Sequence, residues 1–354
     1  MPIPTEPIGS VPRSTELLAA MGKLAIGTMS AEQFREIEDR EVRATIERFE
    51  ATGSPVITDG EQRKSSFATY PLTGVKNLAP GGVTIPFEDG HTRQLPKLAA
   101  GPFRYGAFAA SYLKAAQAIA NRPVKQAVIA ASALSLLYPQ EGIAGYSREQ
   151  FIDDLVTEAH RDIRECLDAG AACVQIDFTE GRLALKLDPS GGLLAQFIDL
   201  NNRVLSAFSD AERRKIGVHT CPGGDRDSTH SAGVDYLELV PQLFRLNVGR
   251  FYVQLASEKD RTRVLKAMKA VLKPGQILFV GVTDPIHPKV ESVGDIVGRI
   301  REAAGVIPVM QLGTTDDCGF SPFADDTSTS RDIAFAKIAN RVAATERASK
   351  ELGA

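Results

Sequence analysis

From residue 120 onward the sequence alternates short β-forming runs with amphipathic stretches, six times in succession. PVKQAVIAAS (123–132) precedes SREQFIDDLVTEAHRDIRECLDAG (147–170), which opens on a Ser cap and ends on Gly. ACVQIDF (172–178) precedes LLAQFIDLNNRVLSAF (193–208), and KIGVHTC (215–221) precedes VDYLELVPQLFRL (234–246). RFYVQLAS (250–257) is followed by DRTRVLKAMKAVL (260–272), and QILFVGVTDP (276–285) by SVGDIVGRIREAAG (292–305). IPVMQLGTTDD (307–317) leads into the last helix, RDIAFAKIANRVAATERASKEL (331–352). A helix between each strand and the next imposes parallel pairing. Two more strands, TEPIGSVPR (5–13) and SPVITDG (54–60), flank the helix SAEQFREIEDREVRATIERFEATG (30–53). Eight strands predict an α/β chain closed into a single (β/α)8 TIM barrel, with the Gly-, Pro- and Thr-rich interval 65–122 as an elaborated loop region over its top. No linker-like segment divides residues 1–354, so one domain is expected. An open doubly wound sheet is disfavoured because no G-x-G-x-x-G follows a strand.

In such a barrel the chemistry sits at the C-terminal strand ends. This chain places there Ser10 and Arg13, Asp59 and Glu61, Ser132, Asp177 and Glu180, His219 and Cys221, Gln254 and Glu258, Asp284 and His287, and Asp316 to Cys318. In VHTCPGG (218–224), His219 and Cys221 are two apart, so on an extended strand they share a face, roughly 6.5–7 Å apart along the chain. Cys318, in TTDDCGF at the end of the final strand, reaches the same mouth once the barrel closes. Two thiolates and an imidazole form a zinc set, and three protein ligands leave a fourth position open for chemistry. The competing reading makes each cysteine a small buried hydrophobe. That reading suits Cys166, on the apolar face of a helix, and Cys173, at the start of a strand.

A formal net charge of -3 leaves no basic excess for a phosphate backbone, so nucleic acid is not an expected partner. The N-terminus lacks a basic-then-apolar signal, and no run approaches membrane-spanning length, which predicts a soluble cytoplasmic protein without membrane contact. Four cysteines in a chain of this length fit a reducing compartment. None of these features sets an oligomeric state.

Several motifs in order resemble the catalytic half of cobalamin-independent methionine synthase, over essentially the whole chain. IGSVPRS (8–14) is similar to that family's I-G-S-F-P-x, DGEQRKS (59–65) to its G-E-x-x-R segment, and VQID (174–177) to its Q-I-D-E-P. HTC (219–221) resembles its zinc H-x-C, and DCGF (317–320) its D-C-G. The resemblance implies a zinc-dependent barrel with His219, Cys221 and Cys318 as metal ligands. It also implies that Ser10 and Glu61 hold the polar end of a small-molecule thiol, and that Asp177 faces the same pocket.

The departures are specific. Where the synthases supply a glutamate as fourth ligand, the register here gives Leu255, flanked by Gln254 and followed by Glu258. QIDFTEGR lacks the acidic-proline pair, and the chain has no tryptophan, whereas the synthases place one near the pterin. His287 in DPIHP falls one residue from the family's acid histidine; with Asp284 and Asp177 it is a candidate for proton delivery. These differences lean toward an electrophilic alkyl donor other than methylfolate. The epoxyalkane:coenzyme M transferases, which use an H-x-C…C zinc set without glutamate, resemble this pattern. Arg13, Arg63, Lys64, Arg104 and Arg182 are the candidates for gripping a sulfonate. For His219, Asp225 and Asp227 are the nearest carboxylates in sequence to take its second ring N–H, and a backbone carbonyl is the alternative. Two competing readings are a metal-free decarboxylase similar to the uroporphyrinogen decarboxylases, and a thiol or zinc carrier without turnover.

Overall fold

The computed structural model describes residues 2–354. Six parallel strands lie in chain order across one sheet: β1 (Gln126–Ile129), β2 (Val174–Asp177), β3 (Ile216–Thr220), β4 (Arg250–Val253), β5 (Ile277–Thr283) and β6 (Leu312–Asp316). Nearly every residue in them is buried, as expected of parallel strands covered on both faces. Each falls inside one of the runs read from the sequence.

The two N-terminal strands close the barrel in reduced form. Thr5 bridges Thr314 of β6, and Ile57 bridges Val124 beside β1, both in parallel. The two segments meet each other where Val11 N–H donates to the Gly60 carbonyl at 3.1 Å and the Thr58 hydroxyl to the Gly9 carbonyl at 2.8 Å. Proline explains why they are bridges and not ladders. Pro4, Pro7, Pro12 and Pro55 have no N–H to donate, so pairing is intermittent.

Helices cover the barrel. In the helix Arg148–Asp168, Phe151, Leu155, Ala159, Ile163 and Cys166 are buried at three- and four-residue spacing, and Ser147 and Gln150 form a capping box at its start. Inside the barrel a separate cluster of Ile8, Cys173, Tyr252 and Phe279 forms a floor beneath the mouth. Tyr252 and Phe279 stack at 4.6 Å, and the buried Lys125 ammonium lies 3.5 Å from the Tyr252 ring.

The interval 65–122 holds two small antiparallel arms, Leu78–Ala79 with Lys97–Leu98 and Thr84–Pro86 with Thr92–Gln94, and the helix Ala109–Gln117. The second arm is a hairpin folded over the mouth. It docks on the turn Gly224–Thr229, with Glu88 N–H donating to the Thr229 carbonyl at 2.9 Å and Arg93 gripping Asp225. Among the described residues no helix is long and apolar enough to cross a membrane.

Candidate metal centre

His219 lies next to the last residue of β3 and Cys221 just past its end, so strand alternation aims both into the mouth. Pro222 and Gly223 then turn the chain. Gly223 has φ +73°, and a Cβ there would lie 1.8 Å from His230 Nε2, so the turn requires glycine. Cys318 arrives two residues after β6, and its Sγ is 3.1 Å from that of Cys221. One ligand atom from each of His219, Cys221 and Cys318 falls within 4.8 Å of the others, and no fourth residue joins this group among the described residues. His219 Nδ1 is 3.3 Å from the Tyr252 carbonyl on β4, while its buried Nε2 has no partner. A carbonyl can only accept, so Nδ1 carries the hydrogen and Nε2 keeps its lone pair facing the thiols.

His219 is therefore oriented by a backbone carbonyl and by neither carboxylate nearest in sequence. Asp225 instead takes Arg93 Nε at 2.5 Å and His91 Nε2 at 3.0 Å, latching the hairpin.

The donor set fits zinc. Two thiols in contact cannot both ionise without a cation: the Cys221 contact, followed by burial, pushes the Cys318 thiol well above its usual range. A divalent metal would reverse that balance, and Cys221, Cys318 and His219 are the residues that would hold it. Leu255 is buried at the end of β4, and the polar residues around it are engaged elsewhere. Gln254 Oε1 accepts from Arg182 Nη1 at 3.0 Å, and Glu258 pairs with Arg182 Nη2 at 2.6 Å. Asp317 holds this strand end: its carboxylate accepts the N–H groups of Leu255, Ala256 and Ser257 at 2.7–2.8 Å and the Ser257 hydroxyl at 2.8 Å. It reaches them past Gly281 of β5, where a Cβ would lie 1.9 Å from Asp317 Oδ1.

A narrow cavity of about 60 Å3 opens beside His219 and Cys318, and Ser10, Glu61 and Asp177 line it. Glu61 sits at φ +57° and is paired with the buried Lys64 at 3.0 Å. Gln175 donates to Asp177 at 2.7 Å, yet burial pushes the Asp177 carboxyl up to about 6. The remaining wall is mainly apolar, with Phe67, Phe323 and, from the hairpin, Ile85 and Phe87. Arg93 also lines this cavity and was missed in the sequence, although Asp89-Gly90 between alternating residues is a hairpin signal.

The other expected residues lie elsewhere. Arg13 is buried and spends its guanidinium on the carbonyls of Glu61, Lys64, Ser321 and Phe323, so it clips two loops together and lines neither cavity at the mouth. Arg63 pairs with Glu38 and Asp39, and Arg104 with Asp154, away from the mouth. Arg182 and Asp284 line a second cavity of about 700 Å3, which meets the first at Gly224 and Cys318 and also touches Cys221. His287 is exposed and lines neither cavity. Asp284 Oδ1 takes the Ile286 N–H at 3.0 Å and Thr329 holds the Pro285 carbonyl at 3.1 Å, which turns Ile286 to the cavity and His287 outward.

Ser132 and Glu180 meet each other behind the mouth. The Ser132 hydroxyl donates to Glu180 Oε1 and accepts from Asn201 Nδ2 at 2.7 Å, while Glu180 Oε2 is buried without a partner. Burial pushes the Glu180 carboxyl up to about 8. The unfolded value is about 4.3. Between the two the folded chain holds one more proton than the unfolded chain, so this group's contribution falls as pH rises through that window. Stability should drop by up to about 1.4 kcal/mol per pH unit from about pH 6 to about pH 8. Glu180→Gln should flatten that slope in denaturant unfolding measured across the same range; an unchanged slope would count against the assignment.

Residues 3–347 match the family described as cobalamin-independent synthase, catalytic domain. The uncharacterized protein YxjH of Bacillus subtilis is 25% identical over 352 residues, covering 95% of this chain and 92% of that protein. The 5-methyltetrahydropteroyltriglutamate–homocysteine methyltransferase of Corynebacterium efficiens is 24% identical over 360 residues, covering 99% of this chain but 44% of that protein. The enzyme of the same name from Shewanella oneidensis is 25% identical, with 90% and 40% covered. The chain thus spans about two fifths of the length of these methyltransferases. Among solved structures, a B12-independent methionine synthase from a Shewanella species, in complex with selenomethionine, superposes with TM-score 0.75 at 17% identity, covering 99% of both chains. A putative vitamin-B12 independent methionine synthase from Listeria monocytogenes gives 0.73 at 22% identity, with 99% of this chain and 98% of that one covered. At these identities the superpositions establish the barrel fold.

Proposed function

This chain belongs to the cobalamin-independent synthase catalytic-domain family, and on that premise we propose that it transfers an alkyl group to the sulfur of a small thiol, with zinc held by His219, Cys221 and Cys318. The observation that carries this reading is the buried, partnerless His219 Nε2 facing two touching thiols. Bound zinc supplies the Lewis acidity that keeps a substrate sulfur as thiolate at neutral pH, where a free thiol of pKa about 8.5 is only a few per cent ionised.

The protein's own residues position the thiol. Its polar end enters the narrow cavity, where the Ser10 hydroxyl and the Glu61 and Asp177 carboxylates form the polar wall. Glu61 is already paired with Lys64, so the Asp177 carboxylate is the charge left to meet an ammonium group. The one arginine on that wall is already shared between Asp225 and Asp325. This favours an amino-acid thiol such as homocysteine over coenzyme M, whose sulfonate needs a free cation. The donor is a small electrophile other than methylfolate, consistent with the exposed His287 and the absence of tryptophan. A metal-free decarboxylase fits less well, because Arg13 and Arg93 are committed to carbonyls and carboxylates of the protein itself.

The whole chain works as one barrel domain, supported by a core cluster that runs from Ile3 to Ala348. Four free cysteines support a cytoplasmic setting. Zinc-loaded protein should convert homocysteine to a thioether when given an alkyl donor, with 2-mercaptoethanesulfonate reacting more slowly, and chelation should stop both. Turnover that persists after zinc removal would sink the reading.

A further inference from the structure

The wider cavity reaches Cys221 and Cys318 beside Gln254 and Ser257 at the end of β4, and its volume of about 700 Å3 suits a whole small molecule. Most polar groups on its wall are already satisfied. Glu258 is bound by Arg182 at 2.6 Å, Asp235 by Arg263 at 2.8 Å, and Asp317 by the loop at 255–257. Besides Arg182 Nε, the exception is Tyr236. It lines the cavity at 2% exposure, and its hydroxyl has no hydrogen-bond partner. The Arg182 guanidinium lies 4.1 Å from its ring centroid and braces it, while the hydroxyl lies within the electrostatic reach of Cys221, Asp317 and Glu258, all walls of the same cavity. A buried hydroxyl left without a partner is rare unless a ligand or water completes it.

We propose that the wider cavity takes the alkyl donor and that the Tyr236 hydroxyl donates a hydrogen bond to its leaving oxygen or nitrogen. This rests on the thiol-alkylation reading above and names the donor class within it. As the substrate sulfur forms its bond to carbon, the carbon–oxygen or carbon–nitrogen bond breaks and its electron pair stays on the heteroatom. The developing negative charge is met by the phenol, whose proton passes to the leaving atom. Solvent returns a proton to Tyr236, matching the one the thiol released on ionising, so thiol plus epoxide gives hydroxyalkyl thioether. Burial keeps the phenol well above its usual range and hence protonated as a donor. Tyr236 thus supplies the proton that the outward-facing His287 does not.

The test compares zinc-loaded wild type with Tyr236→Phe, which keeps the ring against Arg182. Homocysteine is the thiol, and epoxypropane and an N-alkyl aziridine are the donors. The variant should retain bound zinc, unfolding temperature and calorimetric homocysteine binding, while kcat for both donors falls by about 10²–10⁴-fold with KM little changed. An unchanged kcat, or a loss explained by lost zinc or lost thiol binding, overturns the proposal. Wild type that binds zinc and homocysteine yet turns over neither donor also overturns it and leaves thiol activation standing. Wild type that binds no thiol overturns the reading beneath it as well.

Discussion

Cys221→Ser and Cys318→Ser should each lower thiol alkylation by roughly 10³-fold or more, equivalent to about 4 kcal/mol of barrier, and should leave far less than one zinc per chain. Serine is close in size, so the barrel survives. Its hydroxyl does not ionise at neutral pH and is a poor partner for a metal that selects thiolate. Part of the loss is nucleophile supply, because an unactivated thiol is only a few per cent thiolate, and the rest is lost positioning of the sulfur against the donor. Cys166→Ser and Cys173→Ser are the controls: both are buried, one in a helix seam and one in the barrel floor, so stability should fall while zinc content stays at wild-type level. The checks are zinc per chain by elemental analysis and the rate of thioether formation. Wild-type zinc binding in either active-site variant would remove the basis for the metal assignment.

Asp317→Ala should cost roughly 3–5 kcal/mol, because it strands the buried N–H groups of Leu255 and Ala256, each worth about 1–3 kcal/mol when left unsatisfied. For a chain of 354 residues that corresponds to a fall of about 4–7 °C in melting temperature. The effect should extend to the metal. Asp317 fixes the end of β4 and directly precedes Cys318, so its loss frees Cys318 as well as a loop. Zinc affinity should drop by about 10–100-fold, the usual scale for residues that orient ligands. Gly281→Ala should reproduce the same pair of effects from the opposite side, since its methyl group would occupy the position of Asp317 Oδ1. The checks are thermal unfolding and competition for zinc against a chelator. Wild-type melting and affinity in Asp317→Ala would show that the strand end is held by other means.

The sequence yields what depends on local periodicity and spacing. Strands β1 to β6 and their covering helices follow from alternating runs and from Ser caps such as Ser147 and Ser292, each of which forms a capping box. The two N-terminal strands were placed correctly in order but not in form, because the alternating pattern does not register missing N–H groups at Pro4, Pro7, Pro12 and Pro55. The spacing of His219 and Cys221 survives folding because a strand keeps residues two apart on one face, and Cys318 reaches them because barrel closure brings strand ends together. Side-chain partners across long separations were not legible. Nothing local shows that Arg13 is consumed by four carbonyls, that Asp225 latches a hairpin, or that Arg182 braces Tyr236. His287 shows how small the margin is. Its position at a strand end points to the mouth, yet Asp284 caps Ile286 in the turn and His287 faces solvent.

On the reading proposed above, His219, Cys221 and Cys318 hold a zinc ion with a position left open for a substrate sulfur. X-ray absorption at the zinc edge, on protein with and without homocysteine, tests it most directly. The resting spectrum should show two sulfur ligands and one imidazole nitrogen, with any remaining ligand from water, and homocysteine should add one sulfur. A resting site with a protein carboxylate as fourth ligand and no change on adding thiol would contradict the account, as would protein that takes up no zinc.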